Sequence, residues 1–466
     1  MKNIFRFASL LMGAVMLFAC EIEPINGGGN NNGEAGILQL KSDVSLIKAN
    51  GLDTVKFTVV YDTLDVTSDV EILFKEEYSE QEAAVLEGNA FATDKEGLYK
   101  FWIEYEGVSD TLSVMATSDG KPWGIKMVVD RDVIQSNGQD AATLMVLLGG
   151  KYDVTSESAI YDAKDNELSL EGGKFTTSTA GEYNFWAQYG TSSTYDKKAD
   201  NNGMITVKAI PFAIPGAADD PQAANTSFVH RAFLTQYTGT GCGYCPYMIR
   251  IIKQIMAQKT IPEKAVLAAV HSYTNADPAY IAAPRVGSYP YLTVDLTQGF
   301  SHNQSAAVLT SLIDESIASD AKAGISANPV VYAKEGYVIV RVAVKAATDG
   351  VFNVGAWLLE DEIYAMQSDY DGIKKSDPDN DYDTHECCVR VVDSKYQGGY
   401  FGYPLGQIKA GETAYKTFVL DLKPSWKIEN MHLALFVSHD EGKSKYTVCN
   451  AVDVPLTEPT PFEYKK

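Results

Sequence analysis

Cysteine is scarce: 466 residues carry six. So few thiols exclude a disulfide-dense scaffold. Only one CxxC occurs, Cys242-Gly243-Tyr244-Cys245, and no second CxxC or close histidine pair completes a zinc module around it. Basic charge is short as well. The 39 Lys and Arg face 61 Asp and Glu, a net charge of −22, which argues against nucleic acid or anionic lipid as partners. No apolar run after the first twenty residues is long enough for a membrane span. A Gly-rich nucleotide cradle, a metalloprotease helix and a Ser-His-Asp order are all missing. No cofactor or metal is therefore expected.

What is present begins with an address. In residues 1–20, MKNIFRFASLLMGAVMLFAC, Lys2 and Arg6 precede an apolar run from Phe7 to Ala19. That length and those flanks predict a secretory signal rather than a span. Leu17-Phe18-Ala19-Cys20 resembles a bacterial lipobox, which implies cleavage before Cys20, acylation of its thiol and durable anchoring to an outer membrane. Glu21-Ile22-Glu23 resembles the acidic export signal of some surface lipoproteins. Loss of Lys2 and Arg6 with the signal would leave 37 basic against 61 acidic residues, a net charge of −24. Residues 20–36 follow as a Gly/Asn-rich tether.

Some 450 residues exceed one core, so several domains are expected. Two related units come first, 37–118 and 119–210. Asn50-Gly51, Asp65-Val66-Thr67-Ser68 and Phe101-Trp102 in the first recur as Asn137-Gly138, Asp153-Val154-Thr155-Ser156 and Phe185-Trp186 in the second, 84 to 88 residues on. Short alternating strands between turn residues predict sandwiches, and the units resemble bacterial immunoglobulin-like domains of surface proteins. Of each Phe-Trp pair, one ring should be core and its neighbour nearer the surface. Residues 211–226 are Pro/Ala-rich and read as a linker with little to bury.

The chemistry sits in 228–258. An apolar run from Phe228 to Gln236 predicts a strand, Thr238-Gly239-Thr240-Gly241 breaks it, and Pro246 opens a helical pattern through Met248, Ile251, Ile252, Ile255 and Met256. First-turn N–H groups and the helix dipole stabilise a thiolate at the leading cysteine, so Cys242 should be the lower-pKa, more exposed nucleophile and Cys245 the partly buried resolving thiol. An inert structural disulfide or half of a zinc site are the other readings of the same pair. Strand, turn, CxxC and helix together resemble the thioredoxin-like superfamily. Residues 265–271, AVLAAVH, suit a central strand buried on both faces, and 303–317 a closing helix with Ala307, Val308, Leu312 and Ile313 inward. By the same resemblance Pro290 is the proline set in cis against the CxxC. Two departures stand out. Gln236 holds the place of the usual proton-accepting carboxylate, and Asp295 to Asn303 is short for a hairpin. His271 at a strand end could serve as base instead, or be satisfied by hydrogen bonds.

From residue 322 strands dominate again, predicting a C-terminal β-sandwich. The whole is then multidomain and mainly β: two immunoglobulin-like β-sandwiches, a thioredoxin-like α/β domain over 227–321 and a last sandwich over 322–466. The order of lipobox, TG-x-x-C-x-x-C-P, Tyr-Pro and β-rich tail resembles the Omp-twenty-eight-related outer-membrane family, with His385-Glu386-Cys387-Cys388-Val389-Arg390 and the Phe436-Val437 strand matching its tail. The resemblance implies fold and location more than activity. Cys387, Cys388 and Cys449 form an odd set, and one disulfide from Cys449 to either neighbour is expected in an oxidising compartment. Asp377 to Asp383 carries carboxylates at alternate positions but lacks the glycine and glutamate of an EF-hand loop, which favours a solvated acidic loop. Two functions fit: thiol–disulfide exchange on envelope proteins through Cys242, Cys245 and Pro290, or non-enzymatic binding of a protein or glycan at the cell surface with an inert CxxC.

Overall fold

The computed structural model describes residues 36–465 except 78, 80, 259, 262, 397, 443 and 444. The signal segment, Cys20 and nearly all of the tether lie outside the described residues. The chain divides into two compact units, the first built chiefly of residues before 208 and the second chiefly of residues from 208 onward. No helix among the described residues is long and apolar enough to cross a membrane.

The first unit holds immunoglobulin-like sheets. In its leading sandwich, Val55–Tyr61 pairs antiparallel with Leu38–Ser42, while Gly97–Tyr105 pairs with Val108–Thr117 in the facing sheet. Alternation places Val55, Phe57 and Val59 against Phe101 and Ile103, all fully buried. Each such side chain contributes roughly 1.5–3 kcal/mol by leaving water. In the second copy Ala142–Leu148 pairs with Ile125–Val129, and Ala159–Asp162 with Gly181–Tyr189. Phe101 and Phe185 are the core rings of their pairs. Trp102 and Trp186 are half-buried, and Trp186 stacks on Tyr161 at 4.2 Å.

In the second unit the thioredoxin-like order is complete. Ala232–Thr238 lies parallel to Ala265–His271 on one side and antiparallel to Tyr291–Val294 on the other, which pairs with Gln298–Ser301. The hairpin for which the sequence looked too short does form. Asp295 and Leu296 both adopt left-handed backbone (φ 54° and 60°), which closes a tight turn of the hand that strands prefer. Helices Cys245–Met256 and Ala306–Ser316 cover one face through Met248, Ile252, Ile255, Leu309 and Ile313. Ala307 and Val308, on the expected apolar face, are exposed.

The sheet does not stop at residue 321. Ala269 pairs with Cys388, so Ala265–His271 is joined to Cys388–Asp393, then to Gly350–Glu360, Met431–Asp440 and Tyr446–Pro455, and with Tyr403–Ile408 on Gly350–Glu360 this gives nine strands in one sheet. Period-two alternation explains why both faces are apolar. Phe352, Val354, Ala356 and Leu358 face the three-stranded sheet of Ala323–Tyr332, Tyr337–Ala346 and Thr413–Asp421. Trp357, Leu359, Ala434 and Phe436 face the other way, against Phe233, Tyr237, Val266 and Val270. The expected thioredoxin-like domain and C-terminal sandwich therefore share a sheet and a core.

The 211–226 segment also departs from expectation, because it is pinned rather than free. Lys345, buried on the sandwich, donates to Asp220 at 3.0 Å and to the carbonyls of Gln222 and Ala223. Asn328 donates to Gly216 O, and Phe212 packs on Tyr332.

Candidate functional site

The CxxC follows directly from the strand Ala232–Thr238. Residues 239–244 turn out of the sheet, and the helix begins at Cys245 with Pro246 in its first turn, where no intrahelical donor is lost. Cys242 and Cys245 are joined as a disulfide. The Tyr289–Pro290 peptide is cis, as is Ala283–Pro284. Tyr291 pairs with Tyr237, which puts Pro290 at the same end of the sheet as the CxxC turn.

Cys242 is more exposed than Cys245, as its position suggests, but barely so. It is only 3% exposed, and Cys245 is fully buried. The cover comes from residues 364–371, a strap that the sequence pattern gave no reason to notice. Gln367 Nε2 donates to the carbonyls of Cys242 (2.9 Å), Thr240 (3.2 Å) and Gly239 (3.3 Å). Ser368 N–H donates to Thr240 O at 2.8 Å, and Tyr370 N–H to Gly243 O at 3.1 Å. Tyr247 O–H reaches Asp371 at 3.0 Å. The Tyr370 ring lies so close over Gly243 that a Cβ there would meet ring atoms within 2.5 Å. Asp383 holds the strap from behind, accepting from Gln367 N–H and Lys374.

Gln236 is buried beside the site with its Nε2 unpartnered. His271 does not take over the missing carboxylate's task. Its Nδ1 sits 2.9 Å from Asp277 and its Nε2 3.5 Å from Cys388 Sγ, so both ring nitrogens are engaged away from the disulfide. Asp277 also accepts from Thr240 N–H at 2.6 Å and Ala279 N–H at 2.8 Å. Burial alone would raise the Asp277 carboxyl. The hydrogen bond and charge of His271, with those two N–H groups, outweigh it and hold the carboxyl well below the usual range. The Asp277–His271–Cys388 chain thus anchors the turn that carries the CxxC. Burial pushes the Cys388 thiol far up, so it is a neutral thiol at ordinary pH.

The expected tail disulfide is absent. Cys387, Cys388 and Cys449 are free thiols. Cys449 packs in the sandwich core, Cys388 packs with Ala279 and Ile363, and Cys387 borders His432, so each occupies a separate environment. The acidic loop bonds to itself: Asp377 accepts from Asn380 and Tyr382, and Asp381 from the N–H groups of Asp383 and Thr384.

No family model matches the chain, and no curated protein does. Among solved structures it is similar to HBP35 of Porphyromonas gingivalis, with 17% identity and a TM-score of 0.39, over 52% of this chain and 80% of that one. It is also similar to the D0-D1 domain of intimin (16% identity, TM-score 0.16, 37% of this chain and 100% of that one). A third is invasin, a bacterial integrin-binding protein (10% identity, TM-score 0.16, 91% of this chain and 60% of that one). Likenesses at this level carry no functional argument. The thioredoxin-like assignment rests on strand order and the placement of the CxxC, and the comparisons do not reach the narrower Omp-twenty-eight-related family.

Proposed function

We propose that this chain is a lipid-anchored protein of the outer membrane or cell surface, of the Omp-twenty-eight-related kind, that binds an extracellular or envelope protein or a glycan. In it the Cys242–Cys245 disulfide is a staple rather than an exchange centre. The observation that carries this reading is the strap: an attacking thiolate has no open path to a cysteine that is 3% exposed under five hydrogen bonds from residues 367, 368 and 370. The strap itself offers a binding face. Tyr364, Met366 and Tyr370 are exposed on it, and Tyr370 meets exposed Tyr244 edge-on at 5.4 Å.

A second reading has its own support. The disulfide stands at the start of the helix Cys245–Met256, where dipole and first-turn N–H groups would stabilise a Cys242 thiolate once the strap lifted. Glutathione equilibration of the full chain decides. A staple has a potential below about −300 mV, whereas exchangers span roughly −270 to −120 mV. A value in the upper range, with partners trapped on Cys242 in a Cys245→Ser variant, would replace the staple reading with exchange.

A further inference from the structure

Three strands end together at one corner of the nine-stranded sheet. Glu360 pairs with both Cys388 and Met431, so Asp361, Cys387 and His432 each lie one position from a shared rung. Their ligand atoms, a carboxylate oxygen, a thiol sulfur and an imidazole nitrogen, all lie within 4.8 Å of one another. The residues are far apart in sequence, so no spacing motif announces them.

The histidine is the telling member. His432 Nδ1 is 2.6 Å from Asp453 Oδ1. Asp453 pairs with Ala434 and Pro455 with His432, so the two side chains meet diagonally on one face. That bond fixes the ring and turns Nε2 toward Asp361 and Cys387. Nε2 is buried and makes no hydrogen bond. It lies 3.5 Å from Asp361 Oδ1, which is long for a hydrogen bond but close to the ~3.4 Å between two ligands of one tetrahedral ion with bonds near 2.1 Å. Asp361 Oδ1 is oriented in turn by the Cys387 N–H at 2.7 Å. A carboxylate behind a ligating histidine, and a hydrogen-bonded carboxylate ligand, are the outer contacts that metal centres use to orient their donors.

We propose that Asp361, Cys387 and His432 form a zinc-class metal site with three protein ligands and a fourth position open to water. Sulfur and imidazole donors select zinc or a similar transition ion over calcium or magnesium, which prefer all-oxygen shells. Binding requires Cys387 as a free thiol, which it is. The Cys242–Cys245 disulfide takes no part.

The test uses the full chain with that disulfide intact, stripped by chelator, incubated with zinc and passed through gel filtration. One zinc should be retained per chain. Cobalt in its place should give a thiolate-to-metal charge-transfer band that disappears in Cys387→Ser and persists in Cys449→Ser. His432→Gln should abolish retention, and Asp453→Asn should weaken affinity by roughly 10- to 100-fold as an outer-contact loss does. If Cys387→Ser fails to fold, protection replaces it: zinc should slow alkylation of Cys387 in the unsubstituted chain. Absence of retained zinc, a cobalt spectrum without the thiolate band, or alkylation of Cys387 unaffected by zinc would each overturn the site. His432 would then be only a counter-ion to Asp361 and Asp453.

Discussion

Asp295 shows how one turn residue couples stability to pH. Its carboxyl is buried and accepts the Phe233 N–H at 2.9 Å, yet desolvation pushes it up to about 6. The folded state therefore holds a proton that the unfolded chain releases near 3.9, and stability falls as pH rises between about 4 and about 6. Asp295→Asn keeps the acceptor and tolerates left-handed backbone. It should stabilise the protein at pH 7.5 by ~1–3 kcal/mol and by almost nothing near pH 4. Urea unfolding of both chains across that range checks this, and a pH-independent difference would refute it. Gly243 gives a second residue-scale expectation. Gly243→Ala must displace Tyr370, so reduction of Cys242–Cys245 by dithiothreitol should accelerate several-fold while the sandwich cores stay intact. An unchanged rate would mean that the strap is not what shields the sulfur.

Among elements, the 211–226 segment reverses its expected behaviour. The Lys345 anchor keeps it docked, so limited proteolysis of the unsubstituted chain should not cut there first. Asp220→Ala strands a buried ammonium at a cost of about 3 kcal/mol and should make 211–226 the first cleavage site. Mass mapping of the first fragments reads this directly. The contrast shows what a sequence carries. Alternation makes it legible that one ring of Phe101-Trp102 and one of Phe185-Trp186 is core without saying which, and the CxxC is legible because strand, turn and helix surround it. The strap is not, since 364–371 has no period and its contacts are to distant backbone carbonyls. Nor is the joined sheet: the apolar runs at 265–271 and 353–359 announce burial on both faces without naming the neighbour. Cys387, Cys388 and Cys449 mislead for the same reason, because a count of thiols says nothing of the three environments that separate them.

At the scale of the whole molecule, the proposed location rests on Cys20. Cys20→Ala should move the protein from the membrane pellet to the soluble fraction, and equal partitioning of both forms would remove the anchor from the proposal. The joined sheet has a further consequence, one of timing. The strand Ala265–His271 acquires its second neighbour only when Cys388–Asp393 arrives, and the apolar face of Phe233 and Val266 packs against later residues that include Trp357, Leu359, Ala434 and Phe436. A chain emerging from its N-terminus can complete the two leading sandwiches early, but the CxxC half-sheet must wait for more than a hundred later residues. Until then its edge and one face are open, the condition under which strands pair with the wrong partner. A chain cut at residue 320 should therefore aggregate, while one cut at residue 210 stays soluble, and pulse-labelled refolding should show the leading sandwiches protected first. The strap over Cys242–Cys245 is itself made of residues 364–371, so in a chain growing from its N-terminus the pair stays open to exchange until that later stretch arrives.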